Sequence, residues 1–295
     1  MLSKMKDASK LGSRIAEVHN GSSLSTGDAG QGESNIRRWI IENDWLEAVV
    51  ALPLNMFYNT GIATYIWLLT NRKATHRKGK VQLIDATGWF KPMRKNLGKK
   101  NCELSEDDVE RITRTLLDFQ ESEQSKVFDN AAFGYWKVTV ERPLRMKGID
   151  ADRAYSPREI KELREKHGVD QDGSPVIRKI HKGGASDPLH GRFEVTIKGK
   201  RSIVEYESDR SLRDTEQVPL TEDGGIDAFI KREVTPFATD AWIEKDATKI
   251  GYEISFNRYF YKTQPLRALD EIRGDILSLE RETEGLLKEI VEASI

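Results

Sequence analysis

The sequence predicts an α/β protein: the C-terminal half of a Rossmann-like sheet, then an α+β extension and a long helix at the end. Three observations carry that prediction. Short apolar, β-branched runs alternate with a helical stretch over the first 85 residues, strands and helices mix without an internal repeat beyond them, and the last thirty residues place apolar side chains three and four apart. The corresponding divisions are residues 1–90, 91–263 and 264–295.

The elements follow in order. "SRIAEVHNG" reads as a first strand, "SSLSTGDAGQGES" as a loop, about Asn35 to Asn43 as a helix and "LEAVVALP" as a second strand. "IATYIWLL", rich in β-branched and aromatic residues, is a buried strand ending at a polar Thr-Asn-Arg, and "VQLID" follows a basic linker. Four strands with one good helix cannot cover both faces of a doubly wound sheet, so the other half is expected upstream.

In "SEDDVERITRTLLDFQE", acids fill the first turn and Val109, Ile112, Leu116 and Leu117 share one face, as in an amphipathic helix. "FGYWKVTVERPLR" is a strand closed by Pro143. "SPREIKELREKHG" is a second helix, with Ser156 as N-cap, Pro157 at its first position, Glu159 completing a capping box and Gly168 as the stop. The Gly-, Asp- and Ser-rich run from residue 170 to 191 reads as a surface loop, followed by strands "FEVTI" and "SIVEYES" and a charged segment through Trp242. At the end, Leu269, Ile272, Ile276, Leu279, Leu286 and Ile290 form an apolar seam interrupted at Thr283. Such a helix packs on its own domain or docks on a partner chain.

Composition bounds the function. With 32% charged and 38% apolar residues and a mean hydropathy of -0.59, the chain is polar but can bury a core. Its single cysteine, Cys102, has no internal disulfide partner, which points to the cytoplasm, and no apolar run approaches a membrane span. The net charge of -1 argues against a surface coated in base, yet residues 71 to 100 hold ten Lys or Arg against the single acid Asp85. That run is either a solvated loop or a phosphate-contacting patch, centred on Arg94, Lys95, Lys99 and Lys100.

Candidate chemistry is sparse. Gly27, Gly30 and Gly32 in "GDAGQGES" precede a helix, but their spacing is not the dinucleotide fingerprint; the turn either holds an anion or closes on a ligand held elsewhere. The five histidines lack metal-ligand spacing, and no G-x-S-x-G elbow occurs. More telling is "NMFYNTG", where Phe57, Tyr58 and Asn59 stand beside Gly61 in the turn before a strand. Two large rings beside an amide are an unusual choice for a turn.

Five stretches together resemble the modification (M) subunit of type I restriction-modification systems, a family of S-adenosylmethionine-dependent adenine-N6 DNA methyltransferases. They are residues 20–73, "GKVQLIDA", "SKVFDNAAFGYWKVTVERPLR", "LRDTEQVPL" and "KIGYEISFNRYFYKTQP", in the family's order, with the helical tail continuing the match. The resemblance implies that residues 1–90 are the C-terminal part of the catalytic domain, with double-stranded DNA, a specificity subunit, a restriction subunit and a second M subunit as partners. It implies that Phe57, Tyr58 and Asn59 border the pocket of a flipped adenine, with a core plug as the alternative role for Phe57. It gives the basic run a backbone-contacting role and the terminal seam a docking role.

The family's cofactor-binding turn and its Asn-Pro-Pro-aromatic motif are absent, since none of the nine prolines is doubled. The expectation is therefore a truncated subunit, inactive alone; the alternative is a non-catalytic module that binds DNA or the specificity subunit.

Overall fold

The computed structural model describes residues 1–261 and 267–292, with side chains of the last helix up to residue 283. The chain divides into two compact units, Met1–Phe256 and Asn257–Ile295. In the first, β1 (Arg14–Asn20) leads through α1 (Ser22–Ser25) and α2 (Gly32–Glu42) to β2 (Leu46–Ala51), β3 (Thr64–Thr70) and β4 (Lys80–Asp85). Then come β5 (Lys91–Leu97), β6 (Lys100–Glu103), α3 (Glu106–Asp118) and β7 (Ser125–Asp129).

The main sheet has the order β1-β3-β2-β4-β7, and it is mixed: β2 and β4 run parallel, whereas β3 runs antiparallel to both β1 and β2. A strand returning without a crossover helix must pair antiparallel, and residues 52–63 supply no helix between β2 and β3. Every residue of β2 is buried, as a central strand covered on both faces requires.

Two expectations change here. The end of the basic run, which reads in the sequence as either a solvated loop or a phosphate-contacting patch, is not a loop: residues 91–103 form the β5–β6 hairpin. In α3, Ile112 and Leu116 pack beside Val50, Leu52, Ile84 and Trp89, but Val109 and Leu117 are exposed, so the apolar face is narrower than its spacing suggests.

Beyond it, β8 (Gly134–Glu141), β9 (Arg145–Met146), α4 (Pro157–His167), β10 (Ser174–Pro175) and β11 (Ile177–His181) follow in order. The unit closes with β12 (Phe193–Ile197), β13 (Lys200–Tyr206), β14 (Asp214–Pro219), α5 (Gly225–Glu233) and β15 (Trp242–Tyr252). The sheet β14-β8-β15 buries Val138, Val140, Val218 and Ile243 against Ile230 of α5. The sheet β11-β13-β12 includes a strand from the stretch expected as a surface loop, and the charged segment before Trp242 holds β14 and α5.

Helix α4 has its capping box. The Ser156 N–H, Arg153 and the Ser156 hydroxyl hold the Glu159 carboxyl down at about 2. Arg37 of α2, itself buried, ties the first layer to β15: its Nε donates to Tyr252 O at 2.7 Å and its Nη1 to Ser23 O at 3.3 Å.

The second unit contains α7 (Leu269–Glu292), which follows α6 (Phe256–Phe260). Within it Leu269, Ile272, Ile276 and Leu279 are exposed; the side chains of Leu286 and Ile290 lie outside the described residues. No helix among the described residues is long and apolar enough to cross a membrane.

Candidate nucleic-acid interface

The parallel pairing of β2 with β4 places Ala51 opposite Asp85, so the segments leaving both strands emerge side by side at their C-terminal ends. That edge is where open α/β sheets hold ligands. After Leu52 and Pro53, both buried, the chain turns through Asn55 (φ 57) and Asn59 (φ 54), left-handed positions that asparagine tolerates better than most residues. Met56 packs on Val50, Leu52, Ile84, Ala86 and Trp89, and so fills the place beneath the loop that a Phe57 plug would need. Phe57 is 36% and Tyr58 63% exposed, and Asn59 is exposed beside them.

The segment leaving β4 rises into the β5–β6 hairpin, whose turn centres on Gly98 at φ +61. A Cβ there would lie 2.3 Å from Asn59 Oδ1 and 3.2 Å from Tyr58 Cε2, so the hairpin tip rests against the loop that carries the aromatic residues. Two further bonds fix the contact: Asn101 N–H donates to Asn55 O at 3.1 Å, and the buried Cys102 thiol donates to Leu54 O at 3.1 Å. Burial pushes that thiol up, which keeps it the donor.

Arg94, Lys95 and Lys99 are exposed and Lys100 is half-buried; among the described residues none of the four is in an ion pair. The structure therefore brings together two groups that are 35 or more residues apart in sequence, the aromatic loop and the cationic hairpin.

Two cations of the basic run, Lys73 and Arg77, face inward instead. Lys73, 7% exposed, places Nζ 2.5 Å from Asp44 Oδ1 and 2.6 Å from Lys80 O. Burial raises the Asp44 carboxyl, but bonds from Lys73, the Gly79 N–H and Asn130 outweigh it and hold the carboxyl below its usual range. Arg77 is buried, 3.8 Å from Glu47, with its guanidinium 4.2 Å from the Phe119 ring centre. These cations hold the fold together and are not available to phosphate. Their acidic partners lie 29 and 30 residues upstream, too far to be read from the basic run itself.

The glycine-rich turn does not fit S-adenosylmethionine. Ala29 is 1% exposed, Lys249 packs where a Cβ on Gly30 would go, and Asp28 is bound to Lys137 Nζ at 2.7 Å. The Glu33 carboxylate lies beside Gly27 at the start of α2, which opposes a second anion there. The turn is a packed joint between α2 and β15, neither an open anion site nor a closing loop. Among the described residues no group of His, Cys, Asp and Glu could hold a metal ion.

Residues 2–138 match a family model described as N-6 DNA Methylase, a stretch that contains both the loop and the hairpin. A methylase subunit of the type I restriction enzyme MjaIX from Methanocaldococcus jannaschii is 30% identical over 105 residues, covering 36% of this chain and 18% of that protein. The HindI methylase subunit from Haemophilus influenzae is 36% identical over 122 residues, 41% of this chain and 25% of that one. The solved methyltransferase subunit of a type I restriction-modification system from Streptococcus thermophilus aligns at a TM-score of 0.34 with 24% identity, over 41% of this chain and 24% of that one. The chain thus spans a quarter or less of the length of these relatives.

Proposed function

We propose, from the match of residues 2–138 to the N-6 DNA methylase family model and from the likeness to type I methylase subunits, that the chain serves as part of the methylase subunit of a type I restriction-modification system, in adenine-N6 methylation of DNA. In this reading the main sheet is the C-terminal half of a Rossmann-like catalytic domain and the protein works in the cytoplasm. Phe57 and Tyr58 offer stacking faces and Asn59 an amide to the extruded adenine. Arg94, Lys95, Lys99 and Lys100 neutralise backbone phosphates beside it. The exposed seam of α7 docks the specificity subunit, in an assembly that includes a second methylase subunit and the restriction subunit.

The contact of the hairpin tip at Gly98 with Tyr58 and Asn59 carries the proposal, because it sets the hairpin that bears four cations, in no ion pair among the described residues, against the exposed Tyr58 ring. S-adenosylmethionine would supply the methyl group. This sequence has neither the family's cofactor turn nor its Asn-Pro-Pro-aromatic motif, so the cofactor and the chemistry at the amine belong to residues supplied from elsewhere, and the chain's own work is holding DNA.

The test is a salt titration. Replacing Arg94, Lys95, Lys99 and Lys100 by Ala in a complete methylase complex is expected to weaken duplex binding and to flatten the slope of log K against log salt by up to about four units, nearly one for each phosphate no longer neutralised. Weaker binding with an unchanged slope would remove these residues from the phosphate interface.

A further inference from the structure

We propose that the cleft between the β5–β6 hairpin and residues 54–55 holds one unpaired base of a DNA strand, at a site beside the rim formed by residues 57–59. The proposal rests on the reading of this face as a nucleic-acid interface and adds to it a second bound base.

The cleft has a volume of about 550 Å³ and is lined by Asn55, Thr87, Phe90, Met93, Asn96 and Asn101 among others. That lies within the range of about 300–1,000 Å³ typical of small-ligand sites, ample for a base. Phe90 is 43% exposed although it follows the buried Trp89, so its ring is not part of the core. An exposed ring on a cationic surface is a stacking platform that accepts any base.

Three amides line the same cleft. Among the described residues no hydrogen bond engages the side chains of Asn55, Asn96 or Asn101, whereas the Thr87 hydroxyl is taken by Asp85 Oδ1 at 2.5 Å. The main-chain bond between Asn101 and Asn55 holds two of these residues side by side. A side-chain amide offers a donor and an acceptor together, the pairing that base edges present.

Lys91, Arg94 and Lys95 are exposed on β5, the strand that also carries Met93 and Asn96 of the cleft lining, so their charge favours the phosphates flanking a base held there. An apolar peptide occupying the cleft would leave three amides without partners and gain nothing from these cations. The combination of ring, free amides and cations selects a nucleotide strand.

The test uses the full chain and a fluorescein-labelled single strand of about 12 nucleotides without self-complementarity, followed by anisotropy at several salt concentrations. Phe90→Ala is expected to weaken binding roughly 5- to 150-fold with an unchanged salt slope, because the ring it removes is neutral. Asn96→Ala, on the exposed hairpin and with no side-chain hydrogen bond among the described residues, is expected to weaken it several-fold with unaltered melting. Failure of the wild-type chain to bind the single strand, or wild-type affinity in both variants, overturns the proposal.

The two readings fail differently. If duplex binding in a methylase complex needs the four hairpin cations but single-strand binding ignores Phe90 and Asn96, the cleft is empty of base and the phosphate interface stands. If the four cations matter to neither, the interface reading itself falls, and the cleft proposal with it.

Discussion

Gly98→Ala is the sharpest probe of the contact between hairpin and loop. At φ +61 a Cβ costs roughly 1–2 kcal/mol of backbone strain. The new methyl carbon would begin 2.3 Å from Asn59 Oδ1; ordinary contact starts at 3.4 Å, so the amide must retreat by about 1.1 Å. The obstructing atom ends a short side chain, so the displacement itself adds little to the instability. A loss of 1–2 kcal/mol corresponds to a fall in Tm of about 2–8 °C for a unit of this size. The effect on function should be larger than the effect on stability. Misplacing a positioning group by about 1 Å can cost on the order of 100-fold in rate.

The assay compares melting of the chain with methyl transfer by a complete methylase complex containing it. Gly98→Asn is the companion variant, since asparagine tolerates the left-handed region yet still carries the Cβ. It should recover melting but not turnover. A Gly98→Ala complex with lowered Tm and wild-type turnover would show that the tip contact does not set the geometry of the base site.

Tyr58→Ala in the same complex is expected to reduce methyl transfer roughly 5- to 150-fold with little change in melting, because the ring is 63% exposed; an unchanged rate on duplex DNA would exclude it from holding the base. Arg37→Met should cost about 2–3 kcal/mol in urea unfolding at constant m, since it strips charged donors from Tyr252 O and Ser23 O; a neutral outcome would mean that the desolvation of the guanidinium cancels its bonds. The phenol of Tyr252, 4% exposed, is pushed up to about 12, first by burial and then by Glu42. Its folded pKa lies above the unfolded value near 10, so this contribution is full below pH 10 and lost as pH rises toward 12. The loss is at most about 3 kcal/mol, and Tyr252→Phe should shift alkaline unfolding upward; an unmoved transition would refute the assignment.

The parts of the fold legible in the sequence are those whose burial is written in short runs. Strands β2, β3 and β4 are apolar because both faces are covered, and the capping box of α4 is local chemistry between Ser156 and Glu159. The hairpin is not legible, because "KPMRKNL" and "KNCE" are strands with almost no buried face, held by pairing to each other and by two bonds to the 54–55 backbone. The signal available is Gly98 between two basic stretches, a turn residue where a linker needs none. Likewise, nothing near Lys73 or Arg77 in sequence distinguishes them from Lys95 or Lys99. Burial against Asp44 and Glu47 is decided by which strands become neighbours. The aromatic loop is legible because Phe57 and Tyr58 sit where a turn gives no apolar reward; that Met56 and not Phe57 anchors it depends on which side chain the strand end aims inward.

The position of the loop and hairpin then follows from topology. With β2 and β4 parallel, Leu52 and Ala86 both leave the sheet from its C-terminal edge, joined by the Ala86 N–H bond to Ala51 O at 3.0 Å. Had the pair been antiparallel, the two segments would leave from opposite ends of the sheet, separated by about the length of a six-residue strand, near 20 Å. Residues 57–59 and the four hairpin cations would then face different solvent regions, and the proposed interface could not be one surface. The parallel register converts two unremarkable surface segments into one continuous face. Because β2 is buried along its whole length, that register is held by the core and not by the site, so the surface residues can be replaced one at a time without losing the arrangement they test.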